Sequence, residues 1–282
     1  MNKLEALQNI VRQADAGDLI FPTNVRATLK IQEALDAPDC GIESAARLLL
    51  QEPLITTRII AIANSVAYSR FGGGITHIRT AITILGFSTL RSVVAAIIMR
   101  QLMQAVTTPA IVAKMEALWE HSAHVAAMTH LLARKVSKID PETALFAGIV
   151  HEVGCFYLLS RAEEFPSLLE PHRPASDNPL EEPLEIVIGR AVLHKLMVPK
   201  QVVSAIETLW YGMQMIPPEN LGDTLLLANS LTIPASPLDL RSTAEITETA
   251  GKLDFPLETD SLRQLLNESG DELQSLANAL IH

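Results

Sequence analysis

A chain of 282 residues is long enough for one large domain or two modest ones, with a substantial core. Hydrophobic residues make up 48% and aromatics only 4%, so the apolar content is mostly Ala, Leu, Ile and Val, which suits close helix packing. A net charge of −10, from 22 basic and 32 acidic residues, argues against a general binder of nucleic-acid backbones and leaves protein and small-molecule partners open.

The first periodic stretch, Leu4 to Ala14, reads as an amphipathic helix ending near Gly17. Pro22 leads a second helix, Val25 to Leu35, which Ala37-Pro38-Asp39 stops. A third runs from Ile42 to Leu50, with Asp39 or Cys40 near its start. Pro53 suits the first position of a fourth helix reaching Asn64, on which Arg58 is the polar exception, expected to be solvated or paired. Arg70 to Gly74 is a glycine loop. No Lys-Ser or Lys-Thr follows it, so it reads as a link and not as a nucleotide loop. Thr76 is placed to cap a helix through Leu85, Gly86 to end it, and Ser88 to cap the next, towards Gln104. His77 falls in the first of those turns and reads as a surface or inter-helix residue.

Thr108-Pro109 starts the long apolar helix centred on Ala117 to Val136. Leu118, His121, Val125, Met128 and Leu132 share one face, whereas His124 and His130 lie elsewhere, so the three histidines form no single ligand row. Trp119 is placed to cover a helix junction. Asp140 as cap and Pro141 at N1 predict one helix from Glu142 to Leu159, with Gly148 allowing close packing. Ser160 to Asn178, with His172 and Arg173, reads as an exposed crossover. Helices Glu185–Met197, Lys200–Trp210, Leu221–Leu231, Leu262–Leu266 and Glu272–Leu280 complete the pattern. Period-two alternation is scarce, which predicts an all-α fold.

Cys40 and Cys155 make neither a metal-spaced pair nor a disulfide scaffold, and Cys155 is expected to be a buried thiol. The N-terminus lacks the basic flank and apolar core of a signal peptide, and the apolar run Val93 to Ile98 is followed by Met99-Arg100. A cytoplasmic protein without membrane insertion is the expectation.

Several blocks are specific in their order and spacing together. They are Gln51-Glu52-Pro53-Leu54, Arg58-Ile59-Ile60 and Ala63-Asn64-Ser65, then Ile78, Ala81-Ile82 and Leu85-Gly86. Trp119-Glu120-His121-Ser122 and Ala144 with Phe146 to Gly154 follow, then Gly189, Val198-Pro199 and Ala205-Ile206. Together they resemble the HDOD family, the degenerate HD-related output domain of bacterial signalling proteins. The resemblance covers roughly residues 20–229. It implies a two-lobed helical domain, divided here into an N-terminal lobe 1–106, an HD-like lobe 107–231 and a C-terminal extension 232–282. It also implies regulation or signal output, with bacterial signalling proteins as partners.

An HD phosphohydrolase resembles a set of one early His, a His-Asp pair and a late Asp around a water-activating metal. His121 matches the early His and His151 the pair's His, but Glu152 replaces the pair's Asp. Leu209-Trp210 stands where relatives often have two histidines, and Asn229, without an anionic oxygen, stands near the late Asp. Asp223 is a compensating candidate about a turn early, and His194 has no matching role. The favoured reading is a hydrogen-bonded helix junction at His121, His151 and Glu152, a degenerate site with no catalytic residue and no resident cofactor. A retained divalent metal, and with it a modified phosphohydrolase or phosphodiesterase, is the alternative. The dispersed arginines Arg70, Arg79, Arg91 and Arg100 do not make a nucleic-acid motif. Arg70, Arg79 and Arg91 with the glycine loop form a candidate phosphate surface for a cyclic dinucleotide. No Ser-His-Asp hydrolase signature is present.

Overall fold

The structure is a computed structural model. It describes residues 1–66, 68, 74–170, 182–213, 215–238, 254–257 and 261–281. Among the described residues the chain is all-α, with no β-sheet and one isolated antiparallel bridge, Pro256 to Ser261.

The helices start where the local chemistry satisfies their free N–H groups. α1 (Lys3–Asp15) opens on a reciprocal capping box, Asn2 accepting from the Glu5 N–H and Glu5 from the Asn2 N–H. α2 (Thr23–Leu35) and α3 (Ile42–Leu49) follow, and Gly41 takes the cap position of α3, one and two residues after Cys40 and Asp39. α4 (Pro53–Ala63) has its proline in the first turn. α5 spans Ile78–Gln104 with a break at Gly86, whose φ of 72° only glycine adopts without strain. The predicted division at Gly86 is therefore present. Its predicted cap, Thr76, is not: His77 holds the cap position, without a side-chain bond.

α6 (Pro109–Leu132) runs into a π-helical turn, Ala133–Ser137, that ends at Lys138 in the left-handed region. Asp140 accepts from the Thr143 N–H at 2.8 Å and opens α7 (Pro141–Val150). The single helix expected from Glu142 to Leu159 is two, since α8 (Val153–Ser160) begins after an interruption at His151 and Glu152. Glu152, at φ −108° and ψ 19°, leaves the helical path there. Then come α9 (Leu184–Lys195), α10 (Lys200–Tyr211), α11 (Leu221–Leu231), α12 (Leu262–Glu268) and α13 (Gly270–Ile281). The crossover from residue 171 on, with His172 and Arg173, lies outside the described residues.

One hydrophobic core runs from Ala6 to Leu280. α6 and α7 make its most extensive helix pair. Gly148 sets their separation: a Cβ there would meet Ala126 Cα at 2.4 Å. α5 is long and apolar enough to cross a membrane, with a mean hydropathy of 1.9, so the run at Val93–Ile98 belongs to a longer helix than its neighbours suggest. Residues 141–160 pass the same test across two helices, and 67% of each stretch is buried inside the fold. Both are core elements of a globular chain.

α13 is tied down at both ends. Arg58 Nη1 donates to the Ala279 carbonyl at 3.1 Å and Arg100 to that of Ile281, so both cations sit at the negative end of the helix. Arg134 pairs with Glu272 near its start. Arg58 is thus a paired arginine, as expected, and burial followed by the charge of Arg100 lowers its pKa.

Candidate functional site

The interruption between α7 and α8 builds the site. His151 is the last residue of α7's turn, and its Nδ1 lies 2.7 Å from the Gly148 carbonyl. A carbonyl only accepts, so Nδ1 carries the hydrogen and Nε2 keeps the lone pair. That Nε2 is buried and meets no hydrogen-bond partner. Burial, then charge at His121, push the His151 pKa down to about 3, against the opposing pull of the Gly148 carbonyl. The ring is therefore neutral near pH 7.

His121, on α6, packs against it with ring centroids 5.5 Å apart. Its Nδ1 lies 2.9 Å from the Pro234 carbonyl and its Nε2 3.1 Å from the Asn229 side-chain oxygen. Glu152 closes the group, accepting from Ser236 Oγ at 3.2 Å. One ligand-type atom from each of His121, His151 and Glu152 falls within 4.8 Å of the others. The three residues singled out in the sequence are thus neighbours.

Two histidines and a glutamate suffice as the protein ligands of a catalytic zinc in general, so the ligand count does not decide whether a metal fits. His151 fits: one nitrogen is anchored on a carbonyl and the other is left with a lone pair, the usual arrangement of a ligating imidazole. His121 is anchored in the same way, its Nδ1 on the Pro234 carbonyl, but a metal at its Nε2 has to displace Asn229. Asn229 moreover offers a neutral amide where an acid would supply charge. The centre is a degenerate HD-type site.

The remaining candidates lie apart. Asp223 is buried at the start of α11, where it accepts from Asn220 Nδ2 at 2.7 Å, and His194 is exposed on α9; neither joins the cluster. Leu209 and Trp210 do reach it, lining with His121, His151 and Asn229 a chamber of about 320 Å³. Arg79 is engaged by Glu43 at 2.8 and 2.9 Å and Arg91 by Asp36, while Arg70 and Gly72-Gly73 lie outside the described residues. Cys155 is half-buried, and burial raises its thiol pKa, so it is no thiolate nucleophile.

A second polar centre escaped the sequence reading. On the same two helices, His130 Nε2 faces Glu142 at 3.5 Å. Tyr68 Oη donates to the same carboxylate at 2.7 and 2.9 Å, and Thr89 donates to it as well. Burial works to raise the Glu142 pKa, but these bonds outweigh it and hold the pKa below the ordinary value. No spacing rule joins residues 68, 89, 130 and 142. The available signal was the buried register of His130 alone.

A family model described as the HDOD domain matches residues 21–209. Among solved structures, a Shewanella amazonensis SB2B protein provisionally named a metal-dependent phosphohydrolase is 24% identical, with a TM-score of 0.70 and 99% of each chain covered. A Geobacter sulfurreducens HDOD domain protein of unknown function is 20% identical, TM-score 0.56, with 98% of each chain covered. Another S. amazonensis SB2B protein, provisionally named a phosphohydrolase, is 18% identical with a TM-score of 0.58, over 96% of this chain and 97% of that one. At these identities the likeness is one of fold. No curated protein matches the sequence.

Proposed function

The chain belongs to the HDOD family, and from that premise we propose that it is a non-catalytic signal-output protein, a cytoplasmic regulatory scaffold acting through contacts with bacterial signalling proteins. The observation that carries this reading is Asn229 at His121 Nε2, a neutral amide on the nitrogen that would be the first metal ligand. An exposed apolar segment supports a protein contact: Tyr211, Met213, Met215 and Ile216 are 57, 83, 54 and 43% exposed. They follow directly on Trp210, a wall residue of the site chamber. Methionine-rich surfaces adapt to partners. We divide the chain for this role into 1–106, 107–231 and 232–282, with the HD-like part in the middle.

The test pairs two assays. A signalling partner co-purifies with the wild type and is lost from a Met213→Glu, Met215→Glu variant, and the pure protein shows no Mn²⁺-dependent hydrolysis of a phosphodiester. Hydrolysis abolished by His151→Ala would overturn the proposal in favour of a modified phosphohydrolase, the reading that the provisional names of the Shewanella proteins favour. A cyclic dinucleotide on Arg79 and Arg91 has to compete with Glu43 and Asp36. Calorimetry with a cyclic dinucleotide is expected to show no heat.

A further inference from the structure

The chamber at His121 and His151 is the smaller of two adjoining cavities. A second, of about 540 Å³, lies against α8, α9 and the 3₁₀ turn Pro166–Leu169. His151, Glu152, Cys155, Trp210 and Leu238 belong to the walls of both. The size is that of an ordinary small-molecule site. Much of the larger wall is aliphatic, with Leu158, Leu168, Ile186 and Leu193 among it. An aliphatic wall of this extent favours an apolar body.

The polar groups fix the class of head group. At the shared end the acceptors are His151 and Glu152, beside the indole of Trp210 and the thiol of Cys155. His151 is 94% buried, and its Nε2 lone pair meets no donor. Glu152 adds a carboxylate, whereas the Asn229 oxygen and the Pro234 carbonyl are taken up by His121. Among the described residues the larger cavity's wall carries Glu152, Glu170 and Glu185 with Lys3 and Lys114. Lys3 is further committed, to Glu185 at 3.5 Å and to the Glu170 carbonyl at 3.1 Å. At the shared end a protonated amine meets a carboxylate and a buried acceptor that lacks a donor.

We propose that the two cavities form one binding site for a small amphiphilic amine, its aliphatic or aromatic body between α8 and α9 and its ammonium group at Glu152 and His151. The ligand would bridge the α7–α8 interruption, α9 and the 235–238 segment. Its binding would thereby couple the degenerate centre to Trp210 and the exposed apolar segment that follows it. The inference rests on the non-catalytic reading only in that no metal holds His151 Nε2.

The test is calorimetry at pH 7 with octylamine, octanol and octanoate on the full chain. Octylamine is expected to bind once per chain and saturably, about tenfold more tightly than octanol, and octanoate not measurably. Glu152→Gln is expected to reduce octylamine to the octanol level and leave octanol unchanged. Ile186→Trp, which fills the cavity from a half-buried position, is expected to weaken both; its thermal unfolding establishes that it is folded, and Glu152→Gln alone decides the matter if it is not. Octanoate binding as tightly as octylamine, no octylamine binding, or octylamine binding indifferent to Glu152→Gln overturns the proposal. The non-catalytic reading fails by a different readout, Mn²⁺-dependent phosphodiester hydrolysis, so the two are separable.

Discussion

α6 and α7 carry two histidine–carboxylate centres, and they are built in opposite ways. At His130 and Glu142 the carboxylate collects donors from Tyr68, Thr89 and the imidazole, and the group is packed among four segments. At His121, His151 and Glu152 one buried nitrogen is left without a donor, and two cavities open beside it. The residue types are nearly the same. The difference lies in satisfaction: the first centre is complete and serves the fold, whereas the second keeps an unmet acceptor next to open space. Eight described side chains keep a buried polar atom without a partner, and His151 is the one of them that lines these cavities, which marks the region open to a ligand.

The comparison predicts unequal costs. Glu142→Leu, which leaves Tyr68, Thr89 and His130 without their acceptor, is expected to destabilise by about 3 kcal/mol in urea unfolding. Gly148→Ala puts a methyl against the backbone of Ala126 and pushes apart the helices that hold both centres; a loss of about 2 kcal/mol is expected. His151→Gln, at the centre with an unmet atom, is expected to cost about 1 kcal/mol at pH 7, because Nε2 has no bond to lose and only the Nδ1–H bond to the Gly148 carbonyl is at stake. A loss at His151 as large as at Glu142 would erase the distinction between the two.

His151 also sets a pH signature. Its pKa falls from the ordinary 6.5 in the unfolded chain to about 3 in the fold. The unfolded state therefore takes up the proton first as pH drops. The stability due to the neutral ring is full above pH 6.5 and is lost progressively towards pH 3, by at most about 1.4 kcal/mol per unit. Urea midpoints between pH 6.5 and 5, above the ordinary carboxylate range, are expected to fall in the wild type and to fall less in His151→Gln.

Much of this architecture was legible in the sequence because its signals are local. Prolines 53, 109 and 141, the Asp140 cap and the break at Gly86 act within a turn of where they stand. The three residues of the degenerate centre were legible through their resemblance to a known pattern. The interruption at His151 and Glu152 was not, because apolar periodicity runs through it from Phe146 to Leu159. The second centre draws on residues 68, 89, 130 and 142, which only the tertiary fold brings together. The engagement of Arg79 and Arg91 by Glu43 and Asp36 was hidden for the same reason. The cavities, too, depend on how α8 and α9 meet, to which no single helix pattern speaks.

The central claim is that Asn229, a neutral amide on His121 Nε2, keeps the centre degenerate. Mn²⁺ calorimetry on the wild type and on Asn229→Asp, side by side, tests it most directly. The account predicts weak or no binding in the wild type and a gain of about tenfold or more when the acid replaces the amide. Tight, stoichiometric Mn²⁺ binding by the wild type that His121→Ala abolishes would contradict it.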